Sequence, residues 1–313
     1  MSAAGPTGGL RVLWLDVFAD RPFEGNPLAV VLDADALDHR TMGVLAAELG
    51  LSETVFVLEA GARLRIFTPR AEIPLAGHPV VGAALALARL ARIPSEGRTV
   101  FATGAGDVPV DVTSGGEAIM TQPEPLLGPE LDPRATAALL GLDALAGVPQ
   151  VCRTALPQAF AEVEDRAALA QASPDLEGIA ALEGVVGLAA WCEDPPGVVA
   201  QRFFAPVLGV PEDPATGSAA GALGALRVFR GGAPGRVTIA QGAEVGRPST
   251  IGVEVGGAPG RPSDVRVGGR AVLVLDAVLD PGVLGSAASG GAAGHGDLAT
   301  CELDHARMRK TAL

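Results

Sequence analysis

The sequence predicts an α+β fold of two similar halves, each a sheet wrapped around a central helix of small residues. Strand-like and helix-like segments alternate along the chain, as expected of a mixed fold. Two of the helix-like segments, 74–90 and 216–229, consist largely of Ala, Gly, Val and Leu. The chain has 313 residues, and because one domain usually takes roughly 150, two domains are predicted.

Strands are predicted where β-branched and other apolar residues cluster between turn residues. In chain order these segments are RVLWLDVF, LAVVL, TVFVLE, RLRIFT, RTVFAT, DVPVDVT, EAIMTQ, GRVTIA, TIGVEV and AVLVLDAVL. An amphipathic helix is predicted over Asp38–Gly50, with Gly50 marking its end. The prolines and short helical pattern of 123–143 predict a domain connection. The domains are therefore predicted over 10–125 and 126–269.

A short repeat supports the division into two halves. RIFTP at Arg65–Pro69 recurs as RFFAP at Arg202–Pro206, and each copy precedes a small residue, a glycine, a polar residue and a helix. The two triplets are Ala76-Gly77-His78 and Thr216-Gly217-Ser218. Chance similarity between short apolar strings is the alternative explanation. The shared order favours duplication, with both helix N-termini at the interface of the halves.

The composition excludes several classes of partner and chemistry. A net charge of −13 argues against nucleic acid and anionic membranes as partners. No apolar run of about 18 residues is free of Gly, Pro or charge, so no membrane helix is predicted. Three widely spaced cysteines without a CxxC motif indicate a reducing compartment. Because there is also no signal peptide pattern, a cytoplasmic location is predicted.

The chain after Asp280 is rich in Gly, Ala and Ser, and 281–313 is predicted to be a disordered tail. Lys310, the only lysine, lies in this tail, which argues against Schiff-base chemistry. No cluster of His and Cys has the spacing of a metal site, so no metal is predicted.

The N-termini of the two small-residue helices are candidate sites for an anionic ligand. A helix N-terminus carries unpaired N–H groups and a partial positive charge, and glycine allows a ligand to approach closely. The polar residues there are His78 in the first copy and Asp213, Thr216 and Ser218 in the second. Simple N-capping is the alternative explanation for Asp213 and Thr216. His78 is not a favoured cap.

Glu53 is a candidate proton-transfer group. It lies where a predicted strand starts, among Leu51, Val55 and Phe56. Burial among these residues would raise its pKa and suit it to moving a proton near neutral pH. A solvated acid at a strand end is the alternative.

Five segments resemble motifs of the phenazine-biosynthesis PhzF-like family, which belongs to the diaminopimelate epimerase fold superfamily. They are FADRPFEGNPLAVVL, ELGLSETVFV, IFTPRAEIPLAGHPVVGAA, RFFAPVLGVPEDPATGSAAGAL and QGAEVGRPSTI. They follow one another in the family's order between about residues 13 and 279. The resemblance implies two pseudo-symmetric, diaminopimelate-epimerase-like domains, each a mostly antiparallel sheet around a central helix, with the active site between them. It also implies that a strand at about 270–280 returns to the first domain.

The resemblance also implies roles for individual residues. Glu53 matches the family's proton-transferring acid, and His78, Asp213 and Ser218 match its other catalytic positions. Gly77, Thr216 and Gly217 match positions at which backbone and side chain bind the substrate. Family members are often homodimers, so a homodimer is expected.

One departure from the superfamily bears on the reaction. Its racemases carry a thiol before each glycine, and here these positions are Ala76 and Thr216. A single carboxylate instead suits a proton shift between two positions of one substrate. The prediction is a cofactor-independent isomerase in natural-product biosynthesis, acting on a small cyclic amino-carboxylic acid such as a dihydro-3-hydroxyanthranilate. The alternatives are a lyase or epimerase acting on an amino-acid derivative such as a pyrroline carboxylate, and a non-catalytic protein that binds a small acid.

Overall fold

The structure is a computed structural model, and it describes residues 9–194 and 197–280. The predicted tail, 281–313, lies outside the described residues, and so does Lys310. Within the described part of the chain, no helix is both long enough and apolar enough to cross a membrane.

The chain forms two compact units. Among the described residues, the first unit contains 9–17, Pro27–Ala118 and 271–280. The second consists of Phe18–Asn26 and Ile119–Arg270. A short segment from the start of the chain thus belongs to the second unit, which the sequence did not suggest.

Strands dominate both units, and the predicted α+β class is confirmed. The strands are β1 (Arg11–Val17), β2 (Asn26–Val31), β3 (Glu53–Leu58), β4 (Arg63–Phe67), β5 (Glu72–Ile73), β6 (Gly97–Thr103), β7 (Gly106–Val112), β8 (Ala118–Thr121), β9 (Leu126–Glu130), β10 (Gln150–Arg153), β11 (Pro157–Glu162), β12 (Leu188–Glu193), β13 (Val198–Ala205), β14 (Val210–Asp213), β15 (Gly235–Gln241), β16 (Ser249–Ala258), β17 (Arg261–Gly269) and β18 (Ala271–Val278). The helices are α1 (His39–Leu49), α2 (Gly77–Arg89), α3 (Pro133–Leu139), α4 (Arg166–Gln171), α5 (Leu176–Ala180) and α6 (Gly217–Phe229).

The two units repeat the same strand connections. In the first unit, β2 runs parallel to β3, β3 antiparallel to β4, β4 antiparallel to β5 and parallel to β6, and β6 antiparallel to β7. In the second unit, β11 to β16 show the same five relations in the same order. One long helix follows the short strand in each, namely α2 after β5 and α6 after β14. The duplication inferred from RIFTP and RFFAP is confirmed.

The remaining strands complete each unit separately. β18 pairs antiparallel with β1 in the first unit. In the second unit β17 pairs with β16, and β9 and β11 both pair with β10. The proline-rich stretch expected to connect the domains instead forms β9 and α3 inside the second unit. Its prolines are compatible with these positions, because Pro133 is the first residue of α3 and Pro129 lies in a strand whose residues are mostly exposed.

Helix α1 begins and ends as the sequence predicts. The Asp38 side chain accepts a hydrogen bond from the Thr41 N–H, which caps the first turn. Gly50 ends the helix with φ 64°, a conformation that glycine adopts without steric cost. The chain is then free to turn into β3, which places Glu53 at the first position of that strand.

The central helices are small-residue helices because buried strands lie close to them. A Cβ added to Gly82 of α2 would lie 2.8 Å from a Val17 methyl group, and Leu28 is nearer still. A Cβ added to Gly224 of α6 would lie 2.7 Å from a Val253 methyl group. Real Cβ atoms do not approach neighbours this closely, so larger residues would push the sheets away from the helices.

We predict that Gly82→Ala destabilises the protein although alanine is the better helix former. Overpacking in a filled core costs about 1–3 kcal/mol, while replacing helical glycine by alanine gains about 1 kcal/mol. Gly43→Ala in α1 is the matched control, because a Cβ there meets nothing within 4 Å. Denaturant unfolding should show a lower free energy of unfolding for Gly82→Ala and a higher one for Gly43→Ala. An equal gain in both variants would contradict the tight packing at Gly82.

Candidate active site

In the first unit, the start of β3 and the start of α2 bring a carboxylate and an imidazole together. Glu53 is the first residue of β3, and His78 is the second residue of α2. Their Oε2 and Nε2 atoms are 3.6 Å apart. Pro79 follows in the first turn of the helix, where its missing N–H removes no intrahelical bond. Gly77 is buried as the first helical residue.

The pair is withdrawn from solvent. Only 17% of the Glu53 side chain and 5% of the His78 side chain are exposed. Glu53 is therefore not the solvated strand-end acid that the sequence left as an alternative. Burial raises the pKa of Glu53 from 4.5 to about 7, and a hydrogen bond from Ser52 partly opposes this rise. An acid with a pKa near 7 can both remove and return a proton at neutral pH.

In the second unit, Asp213 and Thr216 form a second polar cluster before α6. Asp213 ends β14, and Thr216 is the residue before the first helical residue. The Thr216 hydroxyl donates to Asp213 Oδ2 at 2.5 Å, and Asn26 Nδ2 donates to Asp213 Oδ1 at 2.8 Å. Thr216 occupies the N-cap position, but its side chain makes no capping bond. The simple capping role that the sequence left open for Thr216 is therefore wrong.

The first turn of α6 is fixed by two buried glutamines. Gln122 Nε2 donates to the Gly217 carbonyl at 3.0 Å, and Gln158 Nε2 donates to the Ser218 hydroxyl at 2.9 Å. A Cβ on Gly217 would contact the Phe18 ring at 3.4 Å. The polar side chains at the start of α6 thus have defined orientations in the folded unit.

The predicted site residues fall into one cluster in each unit. Glu53, Gly77 and His78 lie together in the first unit. The second-unit cluster consists of Asp213, Thr216, Gly217 and Ser218.

The acid of the first unit has no counterpart in the second. Thr54 pairs with Phe67, and Leu188 pairs with Phe204, the equivalent phenylalanine of the repeat. Glu53 therefore corresponds to Gly187. A Cβ on Gly187 would lie 2.7 Å from the Phe203 ring, so this position holds no side chain. The duplicated architecture carries an acid at this position only once.

The two described cysteines are not bases. Cys152 and Cys192 are buried. Burial raises the pKa of Cys152 to about 12 and that of Cys192 to about 11, so both are thiols at neutral pH. Neither lies at Ala76 or Thr216, the positions before the helical glycines. Among the described residues, no three His, Cys, Asp or Glu side chains are grouped so as to hold a metal ion.

Sequence reasoning missed several polar residues of these clusters. Asn26, Gln158 and Gln241 are buried and hydrogen-bond to predicted site residues. Asn26 and Gln241 lie within segments that carry the family resemblance, next to a proline and a glycine. A polar residue at the first or last position of an apolar strand, beside Pro or Gly, is the signal that would have identified Asn26 and Gln241.

Comparison with known proteins places these clusters in context. Residues 15–277 match the model of the PhzC-PhzF family, described as phenazine biosynthesis-like protein. An uncharacterized isomerase of Mesorhizobium japonicum is 38% identical over 298 residues, covering 85% of this chain and 97% of that protein. The trans-2,3-dihydro-3-hydroxyanthranilate isomerase of Pseudomonas aeruginosa is 37% identical over 248 residues, covering 76% of this chain and 87% of that protein. The structure of a PhzF-family phenazine biosynthesis protein of Bacillus anthracis superimposes with a TM-score of 0.77 at 25% identity, covering 87% of this chain and 99% of that one.

We predict that the buried Glu53 makes stability depend on pH. The pKa of Glu53 is about 7 in the folded protein, whereas its ordinary value is 4.5. The folded state therefore binds the proton more tightly than the unfolded state does. Its contribution to stability is present in full below about pH 4.5 and is lost as pH rises through about 7. By the conversion of about 1.4 kcal/mol per pKa unit, the loss is on the order of 3 kcal/mol.

Glu53→Gln should remove this pH-dependent contribution to stability. The variant should therefore gain more free energy of unfolding over the wild type at pH 8 than at pH 5. Urea unfolding at both pH values measures the difference. Glu48→Gln, which alters an exposed acid of α1, is the control for removing one charge from the first unit. If the difference between Glu53→Gln and the wild type is the same at both pH values, the carboxyl does not titrate in this window.

Proposed function

This chain belongs to the phenazine biosynthesis-like protein family and is an isomerase, and we propose that it moves one proton within a small cyclic amino-carboxylic acid without a cofactor. The observation that carries this proposal is the Glu53 carboxyl, which is buried 3.6 Å from His78 and has a pKa of about 7. Such a group exists in both protonation states at neutral pH and needs no second base to complete a turnover.

In the proposed reaction, the Glu53 carboxylate removes a proton from a ring carbon and becomes the carboxylic acid. The electron pair moves along the adjacent double bond, and the acid, whose proton exchanges with water, then protonates a different carbon. Atoms and charges balance, and Glu53 ends the cycle ionised. His78 orients the carboxylate through its ring nitrogen and exchanges protons with a heteroatom of the substrate.

The duplicated fold supports a proton shift by one base over racemisation by two. Two-base racemisation needs a base on each face of one carbon. Gly187 stands where a second Glu53 would be, and Ala76 and Thr216 stand where paired thiols would be. Cys152 and Cys192 are thiols at neutral pH, since burial raises the pKa of each to about 12 and about 11.

The substrate class follows from a relative. Because the Pseudomonas aeruginosa relative is named for trans-2,3-dihydro-3-hydroxyanthranilate, we propose a dihydroanthranilate-like substrate and a role in natural-product biosynthesis. The assignment of Asp213, Thr216, Gly217 and Ser218 to substrate handling belongs to this proposal, as does Gly77. A homodimer is proposed on the sequence resemblance, and a cytoplasmic location on the spacing of the cysteines. Sedimentation velocity of the purified chain tests its oligomeric state.

We predict that Glu53→Gln lowers turnover by at least about 100-fold, because a placed proton shuttle contributes about 10²–10⁴-fold. The assay incubates trans-2,3-dihydro-3-hydroxyanthranilate with the protein in D₂O and follows it by NMR and mass spectrometry. The wild type should yield an isomer that carries deuterium at a ring carbon. Glu48→Gln should retain activity.

Each alternative gives a distinct result in the same assay. A product lighter by one water indicates a lyase, and inversion at one carbon without a double-bond shift indicates an epimerase. Binding with neither conversion to a product nor deuterium uptake indicates a non-catalytic protein. Near-native turnover by Glu53→Gln, with the circular dichroism spectrum unchanged, would show that another residue is the base.

A further inference from the structure

Gln241 ends strand β15 within the motif QGAEVGRPST, to which the proposed reaction assigns no role. Its side chain is buried, with 3% of the residue exposed. A buried amide must find partners for both its oxygen and its two N–H groups. Its partners lie in the loop before α6 and in strand β13.

The amide makes four hydrogen bonds, which saturate its two N–H groups and occupy its oxygen. Its Nε2 donates to the Asp213 carbonyl at 2.7 Å and to the Thr216 hydroxyl at 3.0 Å. Its Oε1 accepts from the Thr216 N–H at 3.1 Å and from Gln201 Nε2 at 2.9 Å. A backbone carbonyl only accepts and a backbone N–H only donates, so these two groups fix which end of the amide is which.

This orientation sets the direction of the Thr216 hydroxyl proton. Because Thr216 Oγ1 accepts from Gln241, its own hydrogen is available for Asp213 Oδ2 at 2.5 Å. Asn26 donates to the other carboxylate oxygen at 2.8 Å. Each oxygen of the Asp213 carboxyl thus accepts a hydrogen bond, and each retains a lone pair for a further donor.

The rest of the motif holds the same loop in place. Gly242 has φ 84°, and a Cβ there would lie 3.0 Å from the Pro214 Cα atom. The Ser249 hydroxyl donates to the Pro214 carbonyl at 2.9 Å. Arg247 donates to the carbonyls of Gly25 and Glu24. The motif therefore supports both the loop that carries Asp213 and the segment that carries Asn26.

We propose that Gln241 is a positioning residue, which turns the Thr216 hydroxyl onto Asp213 and so holds that carboxyl in the orientation in which it accepts an N–H or O–H group of the substrate. This inference rests on the proposed function, which assigns Asp213 to substrate handling. It assigns Asp213 to binding a donor group, whereas the proton shift itself is left to Glu53.

We predict that Gln241→Met and Thr216→Val each lower kcat/KM by about 100-fold, the loss typical of a substrate held slightly out of place. If Gln241 acts through the Thr216 hydroxyl, the double variant should lose little more than the worse single variant. Losses that multiply to about 10⁴-fold would show separate structural effects and overturn the positioning role. Ile251→Val, in neighbouring strand β16, is the control for a small loss of stability near the loop.

A second variant guards against poor folding of Gln241→Met. Gln241→Glu keeps an acceptor for the Thr216 N–H but has no N–H to donate to the Thr216 hydroxyl. The hydroxyl then donates to the new carboxylate, and its proton turns away from Asp213. It should be impaired to a similar extent while remaining folded.

A ligand-free measurement makes the test independent of turnover. In Gln241→Met the Thr216 amide signal should move upfield and exchange with D₂O faster, whereas Gln241→Glu and Ile251→Val should leave it protected. An unchanged Thr216 signal in Gln241→Met would overturn the positioning role. Activity retained by Glu53→Gln would instead overturn the proposed function and leave the Gln241 result standing.

Discussion

The burial of the Glu53 carboxyl beside His78 is the constraint on which the proposed chemistry depends. A carboxylate removed from water is destabilised relative to the neutral acid, and this raises the pKa of Glu53 to about 7. The fold imposes the burial, because Glu53 opens a strand that pairs on both sides and His78 lies in the first turn of a helix packed in the core. A small-residue helix is needed to bring that turn so near the sheet.

Duplication gave both units one architecture, and the polar residues then diverged. His78 corresponds to Ser218, and Glu53 corresponds to Gly187, where the Phe203 ring fills the space of a side chain. The second unit has a hydrogen-bonded network in place of an acid. The duplicated arrangement of strands and helices thus carries an acid at this position in the first unit alone.

The network of the second unit shows how buried amides can hold the segment before a helix in place. Gln241 donates hydrogen bonds to the Asp213 carbonyl and to the Thr216 hydroxyl. Asn26 donates to the Asp213 side chain and to the Ala215 carbonyl. Each of these two buried amides bonds several partners, so the segment before α6 is held at more than one point. Such a network fixes orientation more than it adds stability.

The sequence by itself determined the fold class, the two halves, most strands of the first half, and α1 with its ends at Asp38 and Gly50, because local periodicity and turn residues are read along the chain. It also indicated Glu53 and His78 as candidates. Only the tertiary structure decided which polar residues meet. Asn26 lies 187 residues from Asp213, and no local pattern encodes such a contact. The pKa of Glu53 likewise depends on what the folded chain packs around it.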